Sequence, residues 1–334
     1  MSNKNRDLRQ SVGWGKYLQH LGWSVEEIKN KKPGIKIYIK KIPFLGAVIK
    51  IQRPAEIPPI EEIDRIAKKH RALFVKIEPV GNAQSAFRRE GGFSSQEPVA
   101  GFEPDPTPNL PTRTIQVDLS KTEEELWKNL SQDARQSVRK AQSYKLQVAS
   151  FKWGEPGFEK ALNEFHRLLK ETGHRQKFWT GDYAQLKAKA DAFQKDCLVF
   201  LVFPNKSINQ PIAGALVLLT GDTASFRKET SRSLEGTAFY HHTASNETGR
   251  KLFAPYILMW EIIKEIKGRK PGIGHLEFEG IVDPRFPQTK RWEGFTVFKR
   301  KWGGDEIEFP APLIKHYHPL VKAFFALSRK IAVG

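Results

Sequence analysis

A chain of 334 residues is too long for one ordinary hydrophobic core and suits two domains of about 150–180 residues each. With 39% hydrophobic and 28% charged residues it reads as a globular protein, and a net charge of +18 spread along the chain points to a polyanionic partner such as RNA, DNA, a diphosphate-bearing metabolite or an acidic membrane face. Cys197 is the only cysteine, which excludes a disulfide framework and a Cys-based zinc site.

The N-terminus "MSNKNRDLRQ" is polar, without the apolar run of a secretory signal, and no apolar run approaches the length of a membrane span, so a cytoplasmic location is expected. "GIKIYIKKI" alternates Ile35, Ile37 and Ile39 with polar residues, the pattern of a half-buried strand, and "GAVIKIQRP" supplies a second. The turn "PFLG" joins them as a hairpin. A helix over 57–72 presents Ile60, Ile63, Ile66 and Ala67 on one face, and the strand "LFVKIEP" follows.

Residues 98–111 form a Pro-rich loop, then "TIQVDL" a strand. Ser120 and Glu123 read as a capping box for one helix over 121–142, its buried stripe being Leu126, Leu130, Ala134, Val138 and Ala141. The domain change is expected near residue 147. Beyond it lie an amphipathic helix ending at Gly173, a loop "HRQKFWTGDY", and a helix from Tyr183 to about Phe193. Strands "CLVFLVF", "PIAGALVLL", "TASFRKE" and "GTAFYHHTA" come next, then the helix "FAPYILMWEIIKEIKG" and the strand "HLEFEGI". A meander running into a strand–helix–strand unit argues for mixed α/β sheets. Cys197, inside an apolar strand, reads as an inert core thiol.

The chain carries no GxxxxGK[ST] phosphate loop, no GxSxG elbow and no HExxH zinc helix. His241 and His242 are adjacent on a strand, so their side chains are expected on opposite faces, which disfavours a shared metal. The segment "TASNETGRKLFAP" occupies the place where acetyl-CoA-dependent N-acetyltransferases bind the cofactor pyrophosphate, but only Gly249 and Arg250 match that glycine-spaced motif. "EGFTVFKRKWGG" holds a Phe298-Lys299 pair, read as strand, with no nucleophile beside it. Aminolysis of an activated ester needs positioning, a proton path and charge stabilisation of the tetrahedral oxyanion, and a fixed lysine supplies the last. The alternative is a packed aromatic beside a solvated amine.

Several segments together, "VGWGKYLQHLGW", "IQRP", "FVKIEP", "TIQVDLSKTEEELWKNLSQDARQSVRKAQ", "ETGHRQKF", "FYHHTASNETGRKLFAPYILMWEII", "HLEFEGI" and "GFTVFKRKWGG", resemble the Fem-type aminoacyltransferases, which add bridge amino acids to peptidoglycan precursors using aminoacyl-tRNA. They run from Trp14 to Gly304. The resemblance implies two N-acetyltransferase-like (GNAT) domains in tandem: 1–147 completed by 318–334, and 148–317, without the helical arm of some relatives. It implies that Lys16 and Arg175 hold a diphosphate, as a point charge and a planar fork would. Tyr183 falls loosely on a substrate-binding tyrosine, and Glu78 on an acidic residue that orients the acceptor amine. Phe298 and Lys299 fall on the family's late Phe-Lys pair. Two departures stand out: His242 replaces a cleft tyrosine, and Glu279-Gly280 replaces a Gly-Gly pair.

The expected reaction moves an amino acid from aminoacyl-tRNA, a co-substrate, to the side-chain amine of the stem peptide in UDP-MurNAc-pentapeptide or lipid II, with no cofactor or metal. The rivals are an acyl-CoA-dependent N-acyltransferase and a non-catalytic RNA-binding module. The tail "HPLVKAFFALSRKIAVG" is apolar on one side and basic on the other; it is expected to dock on the first domain, peripheral membrane contact being the alternative.

Overall fold

The structure is a computed structural model that describes residues 7–29, 34–80, 99–204, 210–221, 236–269 and 272–323. The chain divides into two compact units, a smaller one of Arg9–Thr112 with Glu308–Gly334 and a larger one of Met1–Leu8 with Arg113–Ile307.

The smaller unit opens with helix α1 (Val12–His20), whose N-cap Ser11 accepts from the Trp14 amide. Strands β1 (Ser24–Ile28), β2 (Ile35–Ile42) and β3 (Gly46–Gln52) form an antiparallel meander, as the hairpin reading expects for β2 and β3. Helix α2 (Ile60–Lys69) then crosses over to β4 (Ala72–Glu78), which lies parallel to β3. The apolar face of α2, with Ile63, Ile66 and Ala67 buried, covers the core of Ile37, Ile39, Ile49, Ile51, Val75 and Ile77. Strand β5 (Glu103–Pro104) closes the far edge. The Pro-rich segment before residue 113 is anchored by that strand and by Glu78, whose carboxylate accepts from the amides of Asn109 and Leu110, each at 2.7 Å.

The larger unit is a seven-stranded mixed sheet with helices on both faces. Its elements are β6 (Arg113–Asp118), α3 (Glu123–Asn129), α4 (Gln132–Ser143), β7 (Gln147–Lys152), α5 (Phe158–Gln176), α6 (Tyr183–Phe193), β8 (Cys197–Phe203), β9 (Ala213–Thr220), β10 (Gly236–Ser245), α7 (Glu247–Lys251), α8 (Ala254–Arg269), β11 (Ile273–Glu277), α9 (Glu293–Arg300) and β12 (Asp305–Glu308). The strand order is β12-β6-β11-β10-β9-β8-β7, and the β10–β11 pair, bridged by α8, is parallel. Ala213, Ala215, Val217 and Leu219 share one core with α4 and α8. A Cβ on Gly214 would lie 3.0 Å from Phe165 of α5, on the opposite face. Covering on both faces explains why β8 and β9 read as unbroken apolar runs. Cys197 is fully buried there and burial drives its thiol pKa up, so it is inert as expected.

The structure corrects several expectations. The units divide at 112/113, not near 147, because β6 is inserted between β12 and β11 and so belongs to the larger sheet. The chain returns to the smaller unit at 308 and not 318, because the last strand, β13 (Leu313–His316), enters that sheet between β4 and β5. The single helix over 121–142 is two. The capping box is Thr122 with Glu125, not Ser120 with Glu123, and Ser131 restarts the chain by capping Ala134. The apolar stripe survives the break, with Leu126, Leu130, Ala134, Val138 and Ala141 all buried. Helix α5 runs through Gly173 to Gln176 and stops where Lys177 turns left-handed, so His174 and Arg175 are helical. The segment around Lys299 is helical, not strand, because Phe295, Phe298 and Trp302 repeat at helical spacing. The expected strand "TASFRKE" and the tail beyond residue 323 lie outside the described residues. Among the described residues no helix is long and apolar enough to cross a membrane.

Candidate functional site

Strand β10 pairs regularly with β9 until Tyr240 opposite Val217; the next pair is His242 opposite Leu216, which leaves His241 as the extra residue of a β-bulge. The bulge breaks the alternation that would send the two histidines apart. Their rings lie 4.3 Å apart, and both Nε2 atoms meet the Nζ of Lys189, at 2.8 Å for His241 and 3.0 Å for His242. The expectation of opposite faces is therefore wrong. Lys189 reaches the pair from α6 and is buried, with 6% of its surface exposed. Burial first, then the Lys189 charge and the His241 ring, hold His242 well below its ordinary pKa, so it is a neutral imidazole.

The cluster continues across the sheet. His241 Nδ1 lies 3.1 Å from a carboxylate oxygen of Glu279, just beyond β11. His241 thus bridges the Lys189 amine and the Glu279 carboxylate through its two ring nitrogens. Glu279 has φ of +55°, a left-handed conformation a glycine would adopt more readily. Its carbonyl accepts from the Thr114 hydroxyl at 2.9 Å, and the next carbonyl, of Gly280, accepts from Lys299 Nζ at 2.5 Å. Burial lowers the Lys299 pKa to about 8, against the opposing pull of Glu279 and Glu277. Lys299 is thus half-buried on α9 and still charged at neutral pH.

Phe298, the neighbour of Lys299, turns away from it into an aromatic cluster. Its ring meets Tyr256 edge-on at 5.2 Å and Trp302 at 5.7 Å, an arrangement that fixes the roll of α9. Helix α9 also hangs on buried Thr296, which donates to Trp292 and accepts from the Val282 amide, both at 2.9 Å.

The sequence-derived candidates separate into groups. His242 and Lys299 belong to the one cluster just described, with Lys189, His241 and Glu279. Arg175, in the last turn of α5, is outside it; burial and the charge of Arg250 both lower its pKa, so a second cation is close by. Tyr183 starts α6, where its hydroxyl bonds Glu159 at 3.2 Å and its ring stands edge-on to His166. Lys16 is exposed on α1 and Glu78 is buried on β4, both in the smaller unit. One oxygen of Glu78 holds the 109–110 turn, and the other, Oε2, has no hydrogen-bond partner.

Sequence reading missed Lys189 and misplaced His241. The sequence shows Lys189 only as one of two lysines in the alanine-rich helix "LKAKADAF", and a bulge leaves no mark in an alternation pattern.

The Gly249 amide is already bonded to the Asn246 side chain at 2.8 Å, and a Cβ on Gly249 would lie 2.1 Å from the Ile212 carbonyl. That glycine is required by packing.

Residues 105–225 match the FemAB family. No curated protein matches the chain in sequence. Among solved structures the chain is similar to FemX at 17% identity, covering 96% of this chain and 94% of that one with a TM-score of 0.74. It is similar to L-PGS from Bacillus licheniformis at 13% identity, over 96% and 93% of the two chains, TM-score 0.54. A tandem GNAT protein from the clavulanic acid biosynthesis pathway aligns at 9% identity over 89% and 84%, TM-score 0.51. Two mixed sheets of this kind have the fold of a tandem GNAT protein. The family match spans residues 105–225, from β6 to β9, and the likeness to FemX is one of fold.

Proposed function

We propose that the protein transfers an amino acid from aminoacyl-tRNA to the side-chain amine of a peptidoglycan precursor's stem peptide, forming an interpeptide bridge by direct aminolysis. The observation that carries this reading is the half-buried, charged Lys299, bonded to the Gly280 carbonyl with the Glu279 charge favouring its ammonium. The acceptor amine attacks the ester carbonyl and a C–N bond forms. The tetrahedral oxyanion collects on the Lys299 ammonium. The C–O bond then breaks, and the proton shed by the amine ends on the departing ribose oxygen of the tRNA. A preorganised donor in a buried site stabilises such an oxyanion by about 3–4 kcal/mol. The acceptor's diphosphate is assigned to Lys16 and Arg175, Arg250 adding a second positive charge beside Arg175. Glu78 Oε2 is assigned to orient the acceptor amine. Tyr183 is assigned to the acceptor, and the net charge of +18 to the tRNA.

An acyl-CoA donor is disfavoured, because the Gly249 amide that would meet its pyrophosphate is bonded to Asn246. The test offers radiolabelled aminoacyl-tRNA pools to UDP-linked and lipid-linked muropentapeptides. Label on either muropeptide supports the proposal and names the donor and acceptor. Bound tRNA without transfer to either favours an RNA-binding module.

A further inference from the structure

Both departures from the family pattern, His242 and Glu279, converge on one half-buried cluster around the buried Lys189. Lys189 sits between the two imidazoles, His241 passes from Lys189 to Glu279, and the Glu279 charge bears on Lys299, whose Nζ is bonded to the carbonyl of the next residue, Gly280. The contacts therefore run from an amine through two imidazoles to a carboxylate and on to a second amine. The turn that carries Glu279 is held three ways. Thr114 takes its carbonyl, His241 its carboxylate, and Lys299 the following carbonyl. A non-glycine residue persists at φ of +55° when its surroundings hold it on several sides at once.

We infer that Glu279 and His241 are positioning residues for Lys299: the imidazole clamps the carboxylate where its charge bears on the Lys299 ammonium, and the carboxylate keeps that ammonium charged in a half-buried site. The inference rests on the oxyanion role proposed for Lys299, which it deepens. The groups that bear on Lys299 electrostatically are Glu279 and Glu277, both favouring its charge, while burial opposes it. Beyond Glu279 lie His241, then Lys189 and His242. Glu277 is a strand residue of β11, whereas Glu279 lies on the turn beyond it with its carboxylate 3.1 Å from His241 Nδ1. That contact ties the charge beside Lys299 to His241 and makes the pair a dyad.

The test reads Lys299 itself. An amine-selective acylating reagent is applied to the intact protein over a pH series, and modification of the Lys299 peptide is followed by mass spectrometry. The wild-type midpoint should fall near pH 8. Glu279→Gln should lower it by about one pH unit, because a nearby opposite charge is lost. His241→Phe should lower it less, since the carboxylate remains but is no longer held. Glu279→Gly, which suits the left-handed backbone, repeats the charge loss should the Gln variant fold poorly. An unchanged midpoint in folded Glu279→Gln or Glu279→Gly protein overturns the inference. So does a midpoint unchanged by His241→Phe, for the positioning role of that residue. Transfer rates over the same pH series separate the two readings. If the midpoint drops and the high-pH limit of the rate drops with it, both stand. If the midpoint drops and the rate profile does not follow, the dyad stands and the oxyanion role of Lys299 falls.

Discussion

At the scale of single residues, Lys299 sets function against stability. A lysine ordinarily titrating at 10.5 and here at about 8 keeps its charge in the fold at a cost of about 3 kcal/mol. The sign follows from proton binding. Between pH 8 and 10.5 the unfolded chain binds this proton and the fold does not, so this residue makes stability rise with pH through that window and contributes its full penalty below about 8. Lys299→Met should therefore stabilise the protein at pH 7 by about 1–3 kcal/mol, less than the whole penalty because the bond to Gly280 is lost. The gain should shrink as pH rises towards 10.5. Urea unfolding at pH 7 and pH 10 measures both; a variant less stable at pH 7 would mean that Lys299 is a structural residue. At this scale the sequence was informative only in part. The Phe298-Lys299 pair was found, but the two residues do different jobs, one packed among Tyr256 and Trp302, the other half-buried under the charge of Glu279. Alternation assigns His241 the face opposite His242, and one extra residue in β10 is what brings the two together.

At the scale of elements, local patterns identified most helices and strands, and failed where a distant backbone decides. The hairpin of β2 and β3 and the apolar stripe of α3 and α4 follow from alternation and helical spacing. The break at Ser131 does not, because the Ser131 amide bonds the Lys301 carbonyl, a partner from far along the chain. The Gly pair that closes the α9 segment has the same origin. Gly303 has φ of +71°, and a Cβ there would lie 2.3 Å from the Asn129 carbonyl, so α9 is seated where α3 ends. Gly303→Ala should cost about 1–3 kcal/mol from the backbone conformation alone, with the steric contact adding to it. Because α9 carries Lys299, the variant should lose transfer activity out of proportion to the loss of folded protein. A thermal midpoint within experimental error of wild type would remove the role assigned to this contact.

At the scale of the whole molecule, the charge of +18 is the feature most visible in the sequence and the one to which no single residue answers. Neutralising several phosphates releases counterions, so affinity for tRNA should fall steeply with salt. If six to ten phosphates are engaged, the loss between 50 and 200 mM salt is about 10³–10⁵-fold. A filter-binding titration over that range gives the slope, and a flat response would leave the charge unexplained by nucleic acid. The division into two units was also expected, but its boundaries were not. Sheet membership of β6 and β13 is decided by pairing with strands remote in sequence, which length and composition do not encode.

The central claim is that the aminoacyl group passes directly from donor to acceptor under the charge of Lys299. Its most direct test is a rapid-quench single turnover with labelled aminoacyl-tRNA and muropentapeptide, partitioning the label among tRNA, protein and muropeptide at each time point. The account predicts that label leaves tRNA and enters muropeptide together, with none held covalently on protein, and that Lys299→Met slows this step by about 10²–10³-fold. Label trapped on the protein, or a Lys299→Met variant that turns over at the wild-type rate, would contradict it.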